Sequence, residues 1–237
     1  MGKVASIPRP AATPGRELES GPAGKVFTYR RSDFLVATAG AAQPQAFLVE
    51  MPDPGAVIPP HFHREDEFQI VVAGGGSLGK HALAGTVVHF ADAYTPYGPI
   101  RVGPVGLTFF TLRARADAGA QYMPESRASM LRKARRSIAA VVPPDGGTGP
   151  LWAPHDDGLA AWSVRLAPGA ILAHPPGDGA RYYLVLDGDL VHEDDELPCW
   201  SCVWADGHAA RPRLRAADAG AHLVVAQFPR AASMPLR

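Results

Sequence analysis

The feature that most constrains the fold of this chain is the regular alternation of short apolar runs with turns. The turns are rich in glycine and proline, of which the chain has 25 and 24. Little helical periodicity is visible between them, and many short strands joined by turns are typical of a β-sandwich or β-barrel. In the first half, the clearest runs are 45–51 (QAFLVEM), 67–73 (EFQIVVA), 86–90 (TVVHF) and 106–113 (GLTFFTLR). The sequence therefore predicts an all-β fold.

The second half of the chain repeats the pattern of the first. Each half contains a strand, a Pro-Gly-type turn, a histidine and then an apolar strand that ends in glycine. The first half reads FLVEMPDPGAVIPPHFH and later EFQIVVAG, and the second reads WSVRLAPGAILAHPP and later RYYLVLDG. An internal repeat of about 110 residues predicts two similar barrels in tandem.

Composition changes along the chain predict the domain boundaries. Residues 1–25 are rich in Pro, Gly and Ala without a clear period, so we expect an N-terminal arm. The first barrel is expected over 26–123 and the second over 150–237. Between them, 124–149 is expected to be a connector, with a helix over 126–140 followed by a PPDGGTG linker.

Charge and cysteine content exclude several classes of function. The 23 Lys and Arg residues balance the 23 Asp and Glu residues, so the chain lacks the basic character of nucleic-acid-binding proteins. No apolar stretch is long enough to span a membrane, and the N-terminus lacks the apolar segment of a signal peptide. Cys199 and Cys202 lie among strands and aromatic residues, which favours structural cysteines over a redox motif. We expect a cytoplasmic protein that binds neither nucleic acid nor membrane.

One cluster of residues has the chemistry of a metal site. His61 and His63 are two residues apart, so in a strand both imidazoles face the same side. Glu67 can be presented from the next strand. Two neutral imidazoles and one carboxylate form a set of ligands that leaves coordination positions open for water or a substrate. Gly55 and Gly74 would allow the tight turns that flank these strands.

This segment resembles the first conserved motif of the cupin superfamily, Gly-x5-His-x-His-x3-Glu-x6-Gly. All five positions match, at Gly55, His61, His63, Glu67 and Gly74. The resemblance implies two tandem cupin barrels of the jelly-roll type, the second of them degenerate. It also implies one divalent transition metal, such as Fe, Mn, Ni or Zn, on the two histidines and the glutamate.

The second cupin motif, Pro-x-Gly-x-x-His, is incomplete. Pro96 and Gly98 match, but Arg101 stands where the family has its fourth ligand, a histidine. A guanidinium group cannot ligate a cation and would repel it at close range.

Three outcomes are open for the fourth ligand. The metal could have only three protein ligands and more water, or His89, His81 or Gln69 could complete the set. Alternatively, Arg101 could point inward and hold an anionic substrate beside the metal. Tyr97 or Tyr94 could then donate a hydrogen bond to that substrate.

The second half has lost this set of ligands. His174 follows a Pro-Gly turn, but Pro176 stands two residues later and Arg181 occupies the position of the glutamate. We therefore expect the second barrel to hold no metal.

The resemblance implies an enzyme that acts on a small oxygenated or acidic organic molecule, through dioxygenase-, decarboxylase- or isomerase-like chemistry. The alternative is a non-catalytic cupin that binds a small molecule or serves regulation, since the fold alone does not decide function. Exposed strand edges and a spare barrel make a homodimer the expected assembly.

Overall fold

The structure is a computed structural model that describes residues 3–22, 26–38, 41–131 and 136–230. The chain divides into two compact units. Ala12–Pro144 form one unit, called here the first barrel. Met1–Ala11 and Asp145–Arg237 form the other, called here the second barrel.

Strands dominate the described residues, and their helical structure is confined to two short 3-10 turns, Arg9–Ala11 and Glu125–Ser129. The all-β fold is thus confirmed. In chain order the strands are β1 (Val4–Ile7), β2 (Arg16–Ser20), β3 (Phe27–Leu35), β4 (Gln45–Met51), β5 (Val57–Ile58), β6 (His61–Phe62), β7 (Glu67–Leu78), β8 (His81–Ala84), β9 (Val87–Ala91), β10 (Ile100–Arg113), β11 (Gln121–Tyr122), β12 (Ser137–Val141), β13 (Gly149–Pro150), β14 (Ala160–Leu166), β15 (Arg181–His192), β16 (Asp195–Leu197), β17 (Cys202–Ala205) and β18 (Leu214–Gln227).

The first barrel is built on a mainly antiparallel sheet in the order β12-β9-β7-β10-β4-β3-β2, with β5 added to β10 and β8 to β7. A second, two-stranded sheet pairs β11 with β6. Alternate side chains of the central strands point into the barrel, where Phe47, Val49, Val71, Leu107 and Phe109 belong to one buried apolar cluster. This cluster forms the floor and walls around the site described below.

The second barrel has a sheet in the order β1-β17-β15-β18-β14-β13, with β16 added to β15. Its interior is filled with side chains, among them Trp162, Tyr183, Val203 and Leu223, all buried in one apolar cluster. The interior of the second barrel is therefore a packed apolar core.

The two barrels repeat each other strand by strand. The central pair of the first barrel, β7 and β10, has 12 and 14 residues, and the corresponding pair β15 and β18 has the same lengths. In both barrels the second residue of the shorter strand lies opposite the last but one residue of the longer strand. These pairs are Phe68 with Leu112 in the first barrel and Tyr182 with Ala226 in the second. The predicted internal repeat is therefore visible in the register.

The segment predicted as an N-terminal arm contains two strands instead. Strand β1 pairs with β17 from Val4–Ala205 to Ile7–Cys202, so it completes the second barrel. Strand β2 pairs with β3 in the first barrel. Strand β1 pairs with residues near the other end of the chain, which local composition cannot reveal, whereas β2 pairs with the next strand along the chain. Residues 1–2 and 23–25 of the predicted arm lie outside the described residues.

The predicted helix over 126–140 is wrong where the structure describes it. A 3-10 turn covers Glu125–Ser129, and Ser137–Val141 form strand β12 at the edge of the sheet, paired with β9. Pairing with β9 overrides the helix propensity of this alanine- and arginine-rich segment. Residues 132–135 lie outside the described part of the chain.

Helices of the length and apolar character needed to cross a membrane are not found among the described residues. Both cysteines carry free thiols, Cys202 buried and Cys199 half-buried.

Candidate functional site

Two glycines shape the backbone around the cluster of histidines. Gly55 and Gly74 both have positive φ, +79° and +72°, a conformation that L side chains rarely adopt. At Gly74 a Cβ atom would also lie 2.2 Å from the carbonyl oxygen of Gly106. Gly55 lies in the turn before β5, and Gly74 lies within β7 at a register shift against β10. The short strand β6, which carries His61, pairs with β11.

His61 is buried and turns its Nε2 atom inward. Its Nδ1 lies 2.8 Å from the carbonyl oxygen of Pro59, which can only accept, so Nδ1 carries the proton. Burial, assisted by the charge of His63, lowers the pKa of His61 to about 4, so the ring is neutral near pH 7. The Nε2 atom therefore presents a lone pair.

His63 is oriented by a carboxylate. Its Nδ1 lies 2.7 Å from Oδ1 of Asp117, and the same carboxylate accepts hydrogen bonds from the amides of Arg64 and Gly119. Burial alone would raise the pKa of Asp117, but the hydrogen bond from His63 and nearby positive charge outweigh it and hold the pKa at about 2. Asp117 is thus an acceptor for Nδ1 of His63, which directs Nε2 of that ring toward Glu67, 3.8 Å away.

Glu67 is buried and held by two donors. The Tyr97 hydroxyl donates to Oε1 at 2.5 Å, and Nη2 of Arg113 donates a very short hydrogen bond to Oε2. Burial favours the neutral acid, but the charge of Arg113 and the hydrogen bond from Tyr97 prevail and lower the pKa of Glu67. The glutamate is therefore an ionised carboxylate.

The donor atoms of this cluster suit a divalent transition metal. Tyr97 has one hydroxyl proton, and it donates that proton in the hydrogen bond to Glu67. Nε2 of His61 lies 3.0 Å from the Tyr97 hydroxyl oxygen, and no proton lies between these two atoms. A cation accepted by His61, His63 and Glu67 would satisfy that buried lone pair. However, no three His, Cys, Asp or Glu side chains in the described part of the chain are arranged to hold a metal as they stand. The ligand atoms are of the kind that a transition metal prefers, but Arg113 donates a hydrogen bond to one oxygen of the Glu67 carboxylate.

Of the three further metal ligands considered from sequence, Gln69 and His89 are buried beside the cluster, whereas His81 is exposed on β8. Gln69 donates from Nε2 to the Tyr97 hydroxyl at 3.2 Å, and its Oε1 accepts from Nδ1 of His89 at 3.2 Å. Nε2 of His89 lies 2.9 Å from the Ser137 hydroxyl. Both ring nitrogens of His89 are thus engaged, and its pKa is lowered to about 4 by burial. His89 is held away from the ligand set by these contacts.

Arg101 is not brought to the site. It is exposed on β10, where it lies opposite Val57 on one side and Ser77 on the other. Its buried neighbours Ile100 and Val102 point inward, so the strand alternation directs Arg101 out of the barrel. The expectation that Arg101 holds an anion beside the metal is corrected accordingly.

Tyr97 has a different place from the one expected. Its ring is buried, and its hydroxyl contacts the three polar residues His61, Glu67 and Gln69. It lies behind the ligands and is not among the residues that line the cavity. Tyr97 therefore positions Glu67 rather than contacting a substrate.

A cavity of about 190 Å³ opens on the cluster. His61, His63, Glu67 and Gln69 form its polar end. Its other lining residues are aromatic, aliphatic or polar, and include Ser20, Phe27, Tyr29, Arg31, Phe47, Phe109, Thr111, Arg113, Asp117 and Tyr122. The cavity wall is about equally polar and apolar, and its polar groups converge on one end, as they do in small-molecule sites.

Two residues of this site, Arg113 and Asp117, were not predicted from the sequence. Arg113 is the last residue of β10, in line with the cavity-lining Phe109 and Thr111, so the period of two marked it as inward-facing. Its proximity to Glu67 depends on the register of β7 and β10, for which the sequence carries no local signal. Asp117 lies in a loop after the strand, in a DAG segment that indicates only a turn.

The second barrel carries different residues at the corresponding positions. Arg181 begins β15 as Glu67 begins β7, and it lies opposite Gln227. Its guanidinium group is fully buried and donates to Gln227 and to the carbonyls of Pro175, Pro176 and Gly177. A buried cation stands where the first barrel has its carboxylate.

Comparison with known proteins supports the fold. No protein-family model matches the chain, and no curated protein is similar in sequence. Many solved structures are similar. A protein from Nostoc punctiforme described as a putative dioxygenase has 14% identity and a TM-score of 0.68, over 98% of this chain and 85% of that one.

Two further structures extend the comparison. The bacterial pirin YhhW from Escherichia coli, in complex with nickel(II), has 11% identity and a TM-score of 0.58, over 97% of this chain and all of that one. The 11S allergen of Cocos nucifera has 12% identity and a TM-score of 0.58, over 95% of this chain and 89% of that one. The chain therefore has the two-barrel cupin fold. Because structures of this fold are described as differently as a putative dioxygenase, a pirin and an 11S allergen, the fold leaves the function to the site.

Proposed function

We propose that this chain is a metal-dependent cupin that binds a small oxygenated or acidic organic molecule in its first barrel. The observation that supports this most is the direction of two imidazole lone pairs. Nε2 of His63 lies 3.8 Å from the Glu67 carboxylate, and Nε2 of His61 faces the Tyr97 hydroxyl that donates to the same carboxylate. Each ring is fixed by a hydrogen bond from its other nitrogen. Such outer hydrogen bonds are typical of metal-ligating histidines.

His61, His63 and Glu67 would hold one divalent transition metal at the polar end of the cavity. A cation there would supply Lewis-acid chemistry or, if it is iron, redox chemistry. Asp117 keeps His63 in the ligating tautomer, and Tyr97 orients Glu67. Dioxygenase-like chemistry is the activity we favour, because a protein of the same fold is described as a putative dioxygenase.

A second candidate function is non-catalytic binding of a small molecule. It is favoured by the contacts of Glu67, whose two oxygens already accept hydrogen bonds from Tyr97 and Arg113. With metal bound, turnover on a panel of organic acids and diketones favours the enzyme. Ligand binding without turnover on the same panel favours the binder.

The metal is tested by elemental analysis of the purified protein and of a His61→Ala, His63→Ala double variant. We expect near-stoichiometric transition metal in the wild type and its loss in the double variant. A matched control is His81→Ala with His208→Ala, because both of those histidines are exposed. The control variant should keep the metal of the wild type.

If the wild type holds no metal even after anaerobic incubation with Fe(II), Mn(II), Ni(II) and Zn(II), the metal-dependent function is overturned. Loss of metal in the control variant would also contradict it, because surface histidines would then account for the binding.

A further inference from the structure

A row of hydrogen bonds connects Glu67 with the edge of the sheet. The Tyr97 hydroxyl lies 2.5 Å from Oε1 of Glu67 and 3.2 Å from Nε2 of Gln69. Oε1 of Gln69 lies 3.2 Å from Nδ1 of His89, and Nε2 of His89 lies 2.9 Å from the Ser137 hydroxyl. These five residues are called here the donor chain. It links the proposed metal site to strand β12, of which Ser137 is the first residue.

Strand pairing places the outer part of the donor chain. Gln69 of β7 lies directly opposite His89 of β9, and both side chains are buried. Strand β12 pairs with β9 on the other side, with Ala139 opposite His89. Ser137 is two residues before Ala139, so it lies on the same face of β12 and reaches the His89 ring. The register of three neighbouring strands therefore holds these polar groups together.

The direction of the inner hydrogen bonds follows from Glu67. Both of its oxygens accept, one from Tyr97 and one from Arg113, so the single hydroxyl proton of Tyr97 is donated to Glu67. The Tyr97 oxygen can then only accept from Gln69. The amide of Gln69 must therefore turn its nitrogen toward Tyr97 and its oxygen toward His89.

The direction of the outer hydrogen bonds follows in the same way. Nδ1 of His89 must carry a proton, because the amide oxygen of Gln69 can only accept. The ring is 3% exposed, and burial lowers its pKa to about 4, so it carries no second proton near pH 7. Nε2 of His89 therefore accepts from Ser137. Every donor in the chain points toward Glu67.

A chain with one direction strengthens its last hydrogen bond. Each donor polarises the next, so Tyr97 is a stronger donor to Glu67 than an isolated hydroxyl group would be. That bond holds Oε1 of Glu67, whereas Oε2 lies 3.8 Å from Nε2 of His63. Fixing Oε1 therefore orients Oε2 toward the proposed histidine ligands.

We infer that the outer members of the donor chain, Gln69, His89 and Ser137, are positioning residues of the metal site. They act through Tyr97 on the orientation of the Glu67 carboxylate. This inference rests on the proposed function, and it gives Gln69 and His89 a role outside the ligand set. It also extends the site to Ser137, an exposed residue that is not among those lining the cavity.

The direction of the chain is tested on the protein without metal. In protein whose histidines are labelled with nitrogen-15, the chemical shifts at pH 7 show which ring nitrogen carries the proton. We expect the proton of His89 on Nδ1. The signals are assigned by their absence from the spectrum of His89→Gln. A neutral His89 ring with its proton on Nε2 would reverse the chain and overturn the inference.

Calorimetric titration with Ni(II) tests the positioning role. Gln69→Leu interrupts the chain next to Tyr97, so Ni(II) affinity should fall about ten- to a hundredfold, the usual cost of losing an outer contact of a metal ligand. Ser137→Val interrupts the chain at its far end and should cost less, about three- to tenfold, the equivalent of one hydrogen bond. A loss that declines with distance from Glu67 is the expected signature.

Ser137→Thr is the matched control for Ser137→Val. Threonine and valine have the same shape, and both suit a strand, so the two variants differ in the hydroxyl group that donates to His89. Ser137→Thr should bind Ni(II) as the wild type does. Because Ser137 is exposed, this pair of variants keeps the inference testable even if Gln69→Leu does not fold.

The results separate the inference from the metal site itself. Wild-type Ni(II) affinity in both Gln69→Leu and Ser137→Val overturns the inference and leaves the metal site standing. Equal losses in Ser137→Val and Ser137→Thr also overturn it, because the shape of residue 137 and not its hydrogen bond would then matter. Absence of Ni(II) binding from the wild type and from every variant overturns the proposed function, and the inference with it.

Discussion

Asp117 orients the second histidine of the site, so its charge should control metal affinity. Nδ1 of His63 lies 2.7 Å from Oδ1 of Asp117. Asp117→Asn removes the negative charge of the group that accepts this hydrogen bond. We expect metal affinity to fall about ten- to a hundredfold, the usual cost of losing such an outer hydrogen bond. Calorimetric titration with Ni(II) measures the change.

Asp66→Asn is the matched control for this substitution. Its carboxylate accepts a hydrogen bond from the amide of Ala93, so the same chemical change is made one residue before Glu67. Equal losses of affinity in both variants would contradict the orienting role of Asp117, because a general charge effect would then explain the result.

The two cysteines should be poor nucleophiles, although their spacing resembles a redox motif. Burial raises the pKa of both thiols, most strongly at the fully buried Cys202. Cys199 also donates from Sγ to the carbonyl oxygen of Leu186 at 3.0 Å. At pH 8, iodoacetamide should modify native Cys199 slowly and Cys202 only after unfolding in urea, as followed by mass spectrometry.

Single-cysteine variants identify which thiol reacts. Native Cys199→Ser protein should stay unmodified, and native Cys202→Ser protein should be modified slowly. Rapid modification of either variant, or a disulfide in the native wild type, would show that the pair is redox-active.

At the scale of residues, the sequence carried half of the site. His61, His63 and Glu67 were predictable because their spacing matches the first cupin motif. Arg113 was not, since its contact with Glu67 spans two strands whose register depends on pairing along their whole length. Arg101 was misplaced for a related reason, because motif alignment assigns a position without showing which face of the strand it occupies.

At the scale of elements, apolar runs identified the central strands well. The predicted run 45–51 coincides with β4, and the run 67–73 lies within β7. The edges were harder, because strands such as β1 and β12 are partly exposed and gain their structure from distant partners. Local propensity has little to say about such strands.

Strand β1 makes a prediction about the stability of the second barrel. Ile7 is buried at the end of β1, opposite Cys202 of β17. Ile7→Ala should lower the free energy of unfolding by about 2–3 kcal/mol, because it removes buried apolar surface. All four tryptophans, at 152, 162, 200 and 204, belong to the second barrel, so urea unfolding followed by tryptophan fluorescence reports on this unit.

Val4→Ala gives the comparison within the same strand. Val4 is 37% exposed, so this substitution should change stability by less than about 0.5 kcal/mol. If Ile7→Ala is equally mild, β1 contributes little to the second barrel and residues 1–11 are better regarded as an appendage.

At the scale of the whole molecule, the two barrels have side chains of opposite charge at corresponding positions of their central strands. The first barrel has Glu67 there and the second has Arg181. A cation fits only the first of these environments, so we expect one metal per chain. Metal analysis should give the same ratio for the wild type and for His174→Ala, whose ring nitrogens lie near Tyr183 and the carbonyl of Pro212. Two metals per chain would contradict this assignment.

Arg181 should stabilise the second barrel rather than bind a ligand. Its guanidinium group fixes Gln227 and three backbone carbonyls from 175 to 177, so Arg181→Ala leaves several buried acceptors without donors. We expect a loss of about 3 kcal/mol or more in the free energy of unfolding, measured by tryptophan fluorescence in urea. Arg215→Ala, at an exposed position of β18, should be nearly neutral.

Arg181→Ala also tests whether the second barrel contributes to metal binding. Arg181→Ala protein, kept folded below its unfolding transition, should retain one metal per chain and the wild-type affinity for Ni(II), because the proposed ligands all belong to the first barrel. Loss of metal from the folded variant would mean that the second barrel contributes to the site. If the variant keeps its metal but is less stable, metal binding belongs to the first barrel, and Arg181 has a structural role in the second.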